Sequence, residues 1–148
     1  MRAVVVTEPG EPDVLAVEEV PDPLPGPRDV VVEVAAAGVN RADLLHRAGH
    51  YPPPAGAPAW PGLEVSGTVV ARGTDLGGDD LQLGDQVAAL LPGGGYAERA
   101  AVPAELALRV PDGLSTVDAA AFPEALATVW SNLRAARLSP GESVLVHG

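Results

Sequence analysis

The sequence predicts a mainly β domain over residues 1–123, followed at 124–148 by a bridging helix and the opening strand of a second, α/β unit. Three observations carry this reading. Seventeen glycines and sixteen prolines fall between short apolar runs, the punctuation of a chain of strands and turns. The runs are rich in β-branched residues, as in Val30-Val31-Val32-Glu33-Val34 and Val65-Ser66-Gly67-Thr68-Val69, which suit a pleated, half-buried surface. After a helical stretch, Glu142-Ser143-Val144-Leu145-Val146-His147-Gly148 is an apolar strand of the kind a parallel sheet buries on both faces.

In chain order, strands are expected at Ala3–Val6, Leu15–Val20, Val30–Ala37, Glu64–Ala71, Gln86–Leu90, Tyr96–Val102 and near Ala107–Arg109. The prolines of Pro21-Asp22-Pro23-Leu24-Pro25-Gly26-Pro27 lack the N–H a central strand or helix needs, so this segment is a surface connection. A helix of about two turns begins at Asn40, with an acid three residues on, and stops before Gly49. Ser115 caps a helix over Thr116–Phe122. Beyond Pro123 a second helix runs over Glu124–Arg137, with Leu126, Val129, Trp130 and Leu133 on one face and Arg134 and Arg137 in its last turn. Ser139-Pro140-Gly141 ends it.

Hydrophobic residues make up 47% of the chain and aromatics only 3%, so alanine, valine and leucine must build the core. The formal charge is −11, and all nine basic residues are scattered arginines; neither nucleic acid nor an anionic membrane surface finds a footprint. The absence of cysteine removes disulfides, thiolate nucleophiles and cysteine-based metal sites. No apolar run reaches the ~18–20 residues of a membrane span, and the start is not a signal peptide. A soluble, cytoplasmic protein is expected.

Individually, the chemically active residues admit ordinary readings. Asn40 reads as a helix N-cap, and Tyr51 as an aromatic packed on Pro52-Pro53-Pro54. His46 and His50 are spaced i, i+4, but Gly49 breaks the helix between them, so they read as a solvated helix end and no metal site is expected. Gly93-Gly94-Gly95 lacks the lysine and helix of a phosphate loop and reads as a hairpin turn between Leu90 and Tyr96. Glu64, set between apolar residues at a strand start, needs a partner or water.

Taken in order, however, several blocks resemble the quinone oxidoreductase branch of the medium-chain dehydrogenase/reductase superfamily. They are Gly38-Val39-Asn40-Arg41-Ala42-Asp43-Leu44-Leu45 with Gly49-His50-Tyr51-Pro52-Pro53-Pro54, then Pro61-Gly62-Leu63-Glu64-Val65-Ser66-Gly67. Leu83-Gly84-Asp85-Gln86-Val87, Leu91-Pro92-Gly93-Gly94-Gly95-Tyr96, Ala119-Ala120-Ala121-Phe122-Pro123-Glu124 and Val144-Leu145-Val146-His147-Gly148 complete the series. The resemblance implies a GroES-like, partly open β-barrel as the substrate domain, and a Rossmann domain of which only the first strand is present. In zinc-dependent members the metal ligands fall at Asn40, Leu63 and about Glu124. Asparagine and leucine offer neither thiolate nor imidazole, so the resemblance is to zinc-independent members.

Such members transfer hydride from NADPH to an already electrophilic acceptor, a quinone or an activated alkene. By resemblance Asn40 and Thr128 touch the nicotinamide end of the cofactor, with His147 and Gly148 also on the cofactor side, and Tyr51 lines the quinone cleft. Leu45 stands where many bacterial members carry a tyrosine, which implies a more apolar pocket mouth. The main NADPH-binding groups lie outside this chain, so the chain alone is expected to be inactive. Family members pair as homodimers or homotetramers through the missing domain. Two other expectations stand beside this one: an enoyl-thioester or enone reductase on the same scaffold, and a non-catalytic GroES-like binding module.

Overall fold

A computed structural model describes residues 1–147. The chain opens with an antiparallel hairpin, β1 (Arg2–Val6) and β2 (Leu15–Glu19), with Val4 opposite Val17. Its loop is tightened by a 3₁₀ turn at Pro12–Val14, and the Thr7 N–H and hydroxyl both donate to the Val14 carbonyl, at 3.1 and 3.0 Å. The rest of the β structure is one antiparallel sheet of five strands. These are β3 (Asp29–Ala37), β4 (Glu64–Arg72), β5 (Gln86–Leu90), β6 (Arg99–Pro103) and β7 (Ala107–Arg109), in the order β6-β3-β4-β5-β7.

The register of β3 on β4 slips between Val31 and Val32 and again between Val34 and Ala36. Such bulges bend a strand and increase its twist, and the sheet curls into a half-barrel whose edge strands β6 and β7 stay unpaired with each other. The hairpin is lashed to this sheet by a bridge between Ala3 and Ala97 and by the Val4 N–H on the Tyr96 carbonyl, at 2.8 Å. Inside the curl lies the expected aliphatic core: Val30, Val32, Val65, Val69, Val87 and Val102 are almost wholly buried. The fold is mainly β, with a curled and partly open sheet, as the sequence predicts.

Three helices flank the sheet: α1 (Arg41–Arg47), α2 (Thr116–Ala119) and α3 (Pro123–Ala135). Ser115 caps α2 as expected, its Oγ accepting the Asp118 N–H at 3.1 Å. The expected helix Thr116–Phe122 stops short at Ala119, because Pro123 has no N–H to give the Ala119 carbonyl and its ring would collide with it. The chain restarts as α3 with Pro123 in the first turn. At the other end, α3 stops at Ala135 and not Arg137. Arg137 turns to φ 54°, and its N–H and that of Leu138 close back on Arg134 and Leu133, the double closure that usually employs glycine.

Two further expectations are corrected. Gly93-Gly94-Gly95 is no hairpin turn: β5 pairs with β4 and β7, and Tyr96–Glu98 runs across to the β1 hairpin before β6 begins at Arg99. The glycines pack on the loop ahead of β4 instead. Nor does the segment 142–147 form a strand. Val144, Leu145 and Val146 are exposed and join no ladder, since a parallel strand exists only through its neighbours and none is present among the described residues. Gly148 lies outside the described residues.

Candidate functional site

The site is built where three segments meet: the end of β3 leading into α1, the loop that enters β4, and the start of α3. Asn40 occupies the N-cap position of α1, and its backbone N–H donates to Asp43 Oδ2 at 2.8 Å. Its side-chain amide turns elsewhere, to Glu64 Oε1 at 2.8 Å. Glu64, only 2% exposed at the first position of β4, accepts the Glu124 backbone N–H on its other oxygen, also at 2.8 Å. That N–H is one of the unpaired donors at the start of α3. Phe122, the N-cap residue, gives no side-chain cap. A carboxylate from a distant strand therefore caps the helix and meets the positive end of its dipole. The partner that the sequence demands for Glu64 is thus twofold.

Gly38 makes this approach possible. A Cβ there would lie 2.1 Å from Glu64 Oε1, so only glycine leaves the carboxylate its place.

Below this tie sits a second carboxylate that the sequence reading treats only as a cap. Asp43 is buried, and besides Asn40 it accepts the Gly62 N–H on Oδ1 at 3.0 Å and the Tyr96 hydroxyl on Oδ2 at 3.0 Å. Burial first, then the Asp43 charge and hydrogen bond, push the Tyr96 phenol well above its ordinary range. Tyr96 and the glycine run before it are held by the 60–62 loop: Gly94, Gly95 and Tyr96 donate to the carbonyls of Trp60, Gly62 and Pro61 at 2.9–3.0 Å, and Trp60 Nε1 returns a bond to Gly94. Sequence offers one signal for this unit, a tyrosine directly after three glycines, and nothing that names its partners.

Of the predicted site residues, the structure joins Asn40 to the start of α3 through Glu64. Thr128 lies one turn further along α3 than Glu124, on the same side of the helix, and is exposed. Tyr51 is exposed in the loop between α1 and β4, and no hydrogen bond among the described residues ties it to Asn40 or Glu64. His147 is exposed beyond α3, away from any element. His46 lies in the last turn of α1 and His50 beyond its end, as the solvated reading expects. Among the described residues no three His, Cys, Asp or Glu side chains converge to hold a metal. Asn40 directs its amide at Glu64, and Leu63 is a buried aliphatic, so these positions do not fit a zinc ion.

A separate apolar groove of about 520 Å³ runs between α3 and the β5–β7 edge, lined by Leu108, Pro111, Phe122, Leu126 and Trp130 among others. Asn40, Tyr51, Thr128 and His147 do not line it.

Residues 26–112 match the alcohol dehydrogenase GroES-like domain. Over 148 residues the chain is 36% identical to the synaptic vesicle membrane protein VAT-1 homolog-like of Mus musculus, covering 99% of this chain and 35% of that protein. Among solved structures it superposes on the quinone oxidoreductase of Thermus thermophilus, known also in complex with NADPH, with TM-score 0.75 and 39% identity, covering 96% of this chain and 43% of that one. It also superposes on the CurK enoyl reductase with TM-score 0.84 and 27% identity, covering 95% of this chain and 45% of that one. The chain thus spans less than half the length of these relatives. It belongs to the alcohol dehydrogenase GroES-like domain family, and its relatives include quinone oxidoreductase-like members of the medium-chain dehydrogenase/reductase superfamily.

Proposed function

We propose that the chain is the substrate side of a zinc-independent, NADPH-dependent quinone oxidoreductase, with residues 1–123 as the substrate domain and 124–148 leading into a nucleotide-binding domain. The observation that carries the reading is the tie from Asn40 through Glu64 to the start of α3. It gathers the position of the first zinc ligand, a buried carboxylate and the helix bearing Thr128 into one place, with chemistry suited to an amide and unsuited to a metal. The net charge of −11 opposes a polyanionic cofactor, so the cations that hold its phosphates lie outside this chain.

In this reading the dinucleotide supplies the hydride. Asn40 retains one amide N–H for the nicotinamide end, and the exposed Thr128 hydroxyl offers a further contact. Tyr51 borders the acceptor. These residues act by orientation and by excluding water, since a quinone is electrophilic without a Lewis acid.

The test is NADPH oxidation with benzoquinone and phenanthrenequinone by the longest product of the gene. Turnover that Asn40→Ala or Tyr51→Phe lowers by about tenfold or more supports the reading. The likeness to CurK supports a second reading, an enoyl-thioester reductase. Reduction of a crotonyl thioester with no quinone turnover would decide for it.

A further inference from the structure

We infer that Glu64 is a positioning residue that fixes the hand of the Asn40 carboxamide: amide nitrogen inward to the carboxylate, carbonyl to the Asp43 N–H in the capping box of α1, and the second amide N–H left toward the cofactor side. This rests on the proposed role of Asn40 and assigns a function to a residue that role does not include. The argument is one of donors and acceptors. An asparagine side chain has two nearly isosteric ends, one donating and one accepting. At Asn40 the choice is made chemically, because an ionised carboxylate can only accept. Glu64 Oε1 therefore takes the amide nitrogen at 2.8 Å. The carboxylate cannot swing away, since its second oxygen is held by the Glu124 N–H at 2.8 Å and the residue is 2% exposed. On its open side the missing Cβ of Gly38 leaves space for Oε1 and nothing else. The Asn40 backbone is pinned independently by Asp43 Oδ2. With the backbone held by one carboxylate and the side chain by another, the only freedom left to Asn40 is the amide flip, which Glu64 opposes from the nitrogen side as the Asp43 N–H does from the oxygen side.

Glu64→Gln isolates this effect. Glutamine has the same shape but one acceptor end, while both partners of residue 64 are donors. If its oxygen keeps the helix N–H, its own amide faces Asn40, whose carboxamide must turn over. The double variant Glu64→Gln/Asn40→Asp rebuilds a complete set of bonds with reversed polarity, but leaves residue 40 no N–H to offer the cofactor.

The chain has two asparagines, Asn40 and the exposed Asn132, so ¹⁵N-asparagine labelling yields two side-chain amides to compare. The Asn40 amide is expected to exchange its hydrogens about tenfold or more slowly than that of Asn132, and Glu64→Gln is expected to abolish the difference while the fold is kept. In the longest gene product Glu64→Gln is expected to lower kcat by about tenfold, with KM for NADPH moved less than about threefold. The double variant is expected to recover thermal stability without recovering turnover. Fast exchange of Asn40 in the unaltered chain would overturn the inference. So would an unchanged exchange rate and kcat in folded Glu64→Gln, or recovery of turnover together with stability in the double variant, which would reduce Glu64 to a structural cap. If no NADPH-dependent turnover exists at all, the proposed function fails, whereas the exchange measurement still decides whether Glu64 sets the hand of Asn40.

Discussion

Asp43 accepts three hydrogen bonds from three segments, the Asn40 N–H, the Gly62 N–H and the Tyr96 hydroxyl, while 6% exposed. A buried carboxylate so surrounded holds the segments in register, and removing its acceptor capacity leaves donors without partners. Asp43→Asn keeps the shape but turns a donor toward donors, and a loss of about 2–3 kcal/mol in urea unfolding is expected. Tyr96→Phe removes one of the three bonds and should cost about 1 kcal/mol. If both variants unfold with the parent chain, Asp43 holds nothing together. The raised Tyr96 phenol adds a pH dependence of definite sign. In the unfolded chain the phenol ionises near its ordinary 10.0, whereas in the folded chain it stays protonated to higher pH. Its contribution to stability is complete below that value and is lost as pH rises above it. In Tyr51→Phe, which leaves Tyr96 as the sole tyrosine, ultraviolet titration should show phenolate appearing together with the loss of folded circular dichroism, and not before it. At this scale the sequence was half legible. Glu64 advertised itself as a charge among apolar neighbours, but the identity of its partners, 24 and 60 residues away, is a property of the folded sheet and leaves no local trace.

Among the elements, those that sequence revealed are those whose pattern is intrinsic. The β-branched runs of β3 and β4 bury the same valines in any register that keeps their core face inward, and Pro123 sets the start of α3 by chemistry it carries itself. The connection 91–96 is opaque in sequence because three glycines present no side-chain pattern, and what fixes them is the backbone of the 60–62 loop. Gly62 shows how tight that fixing is: its φ is +107°, and an added Cβ would lie 2.5 Å from the Tyr96 nitrogen and 2.6 Å from the Gly95 Cα. Gly62→Ala is expected to lower stability by at least about 2 kcal/mol through backbone strain and displacement of Tyr96, and a midpoint equal to the parent's would show that the two loops are not coupled. Helix α3 was legible in place and amphipathicity, yet its apolar face is open: Leu126, Val129 and Trp130 are each more than half exposed. Periodicity reports that a face seeks burial and is silent on what covers it. Trp130, with the Arg134 guanidinium 5.9 Å from its ring centre and most of its surface open, should accordingly change the stability of this chain by less than about 0.5 kcal/mol on Trp130→Ala. A loss of several kcal/mol would mean that the face is covered.

For the molecule as a whole, a charge of −11 and a pI near 4.4 set two effects of opposite sign against each other on acidification. Protonating scattered carboxylates relieves self-repulsion and favours the folded chain down to the pI. Against this stand three carboxylates with specific partners that join distant parts of the fold. Asp22 is hydrogen-bonded by the N-terminal ammonium at 2.9 Å and by Arg99. Glu98 takes the Arg2 N–H and guanidinium at 2.8 Å each, and Asp85 takes the Gln82 N–H at 2.8 Å and Arg109 at 3.1 Å. These contacts hold Asp22, Glu98 and Asp85 below their ordinary values, in each case led by the first bond named. A carboxylate lowered in the folded state stabilises it above the unfolded value and loses that contribution as pH falls through the folded one. Those unfolded values are 4.5 for Glu98 and 3.8 for the two aspartates, so the losses begin only where relief of repulsion is nearly complete. Repulsion between scattered surface charges is also weakened beyond the Debye length of about 10 Å at 0.1 M salt, whereas contacts at hydrogen-bond distance are screened less. The urea midpoint should therefore hold level or rise slightly from neutral pH to about pH 5, then fall steeply below about pH 4. Arg2→Gln should flatten that fall by removing the guanidinium bond to Glu98. A midpoint that keeps rising through pH 4 would mean that net charge, and not these three ties, governs the stability of the fold in acid.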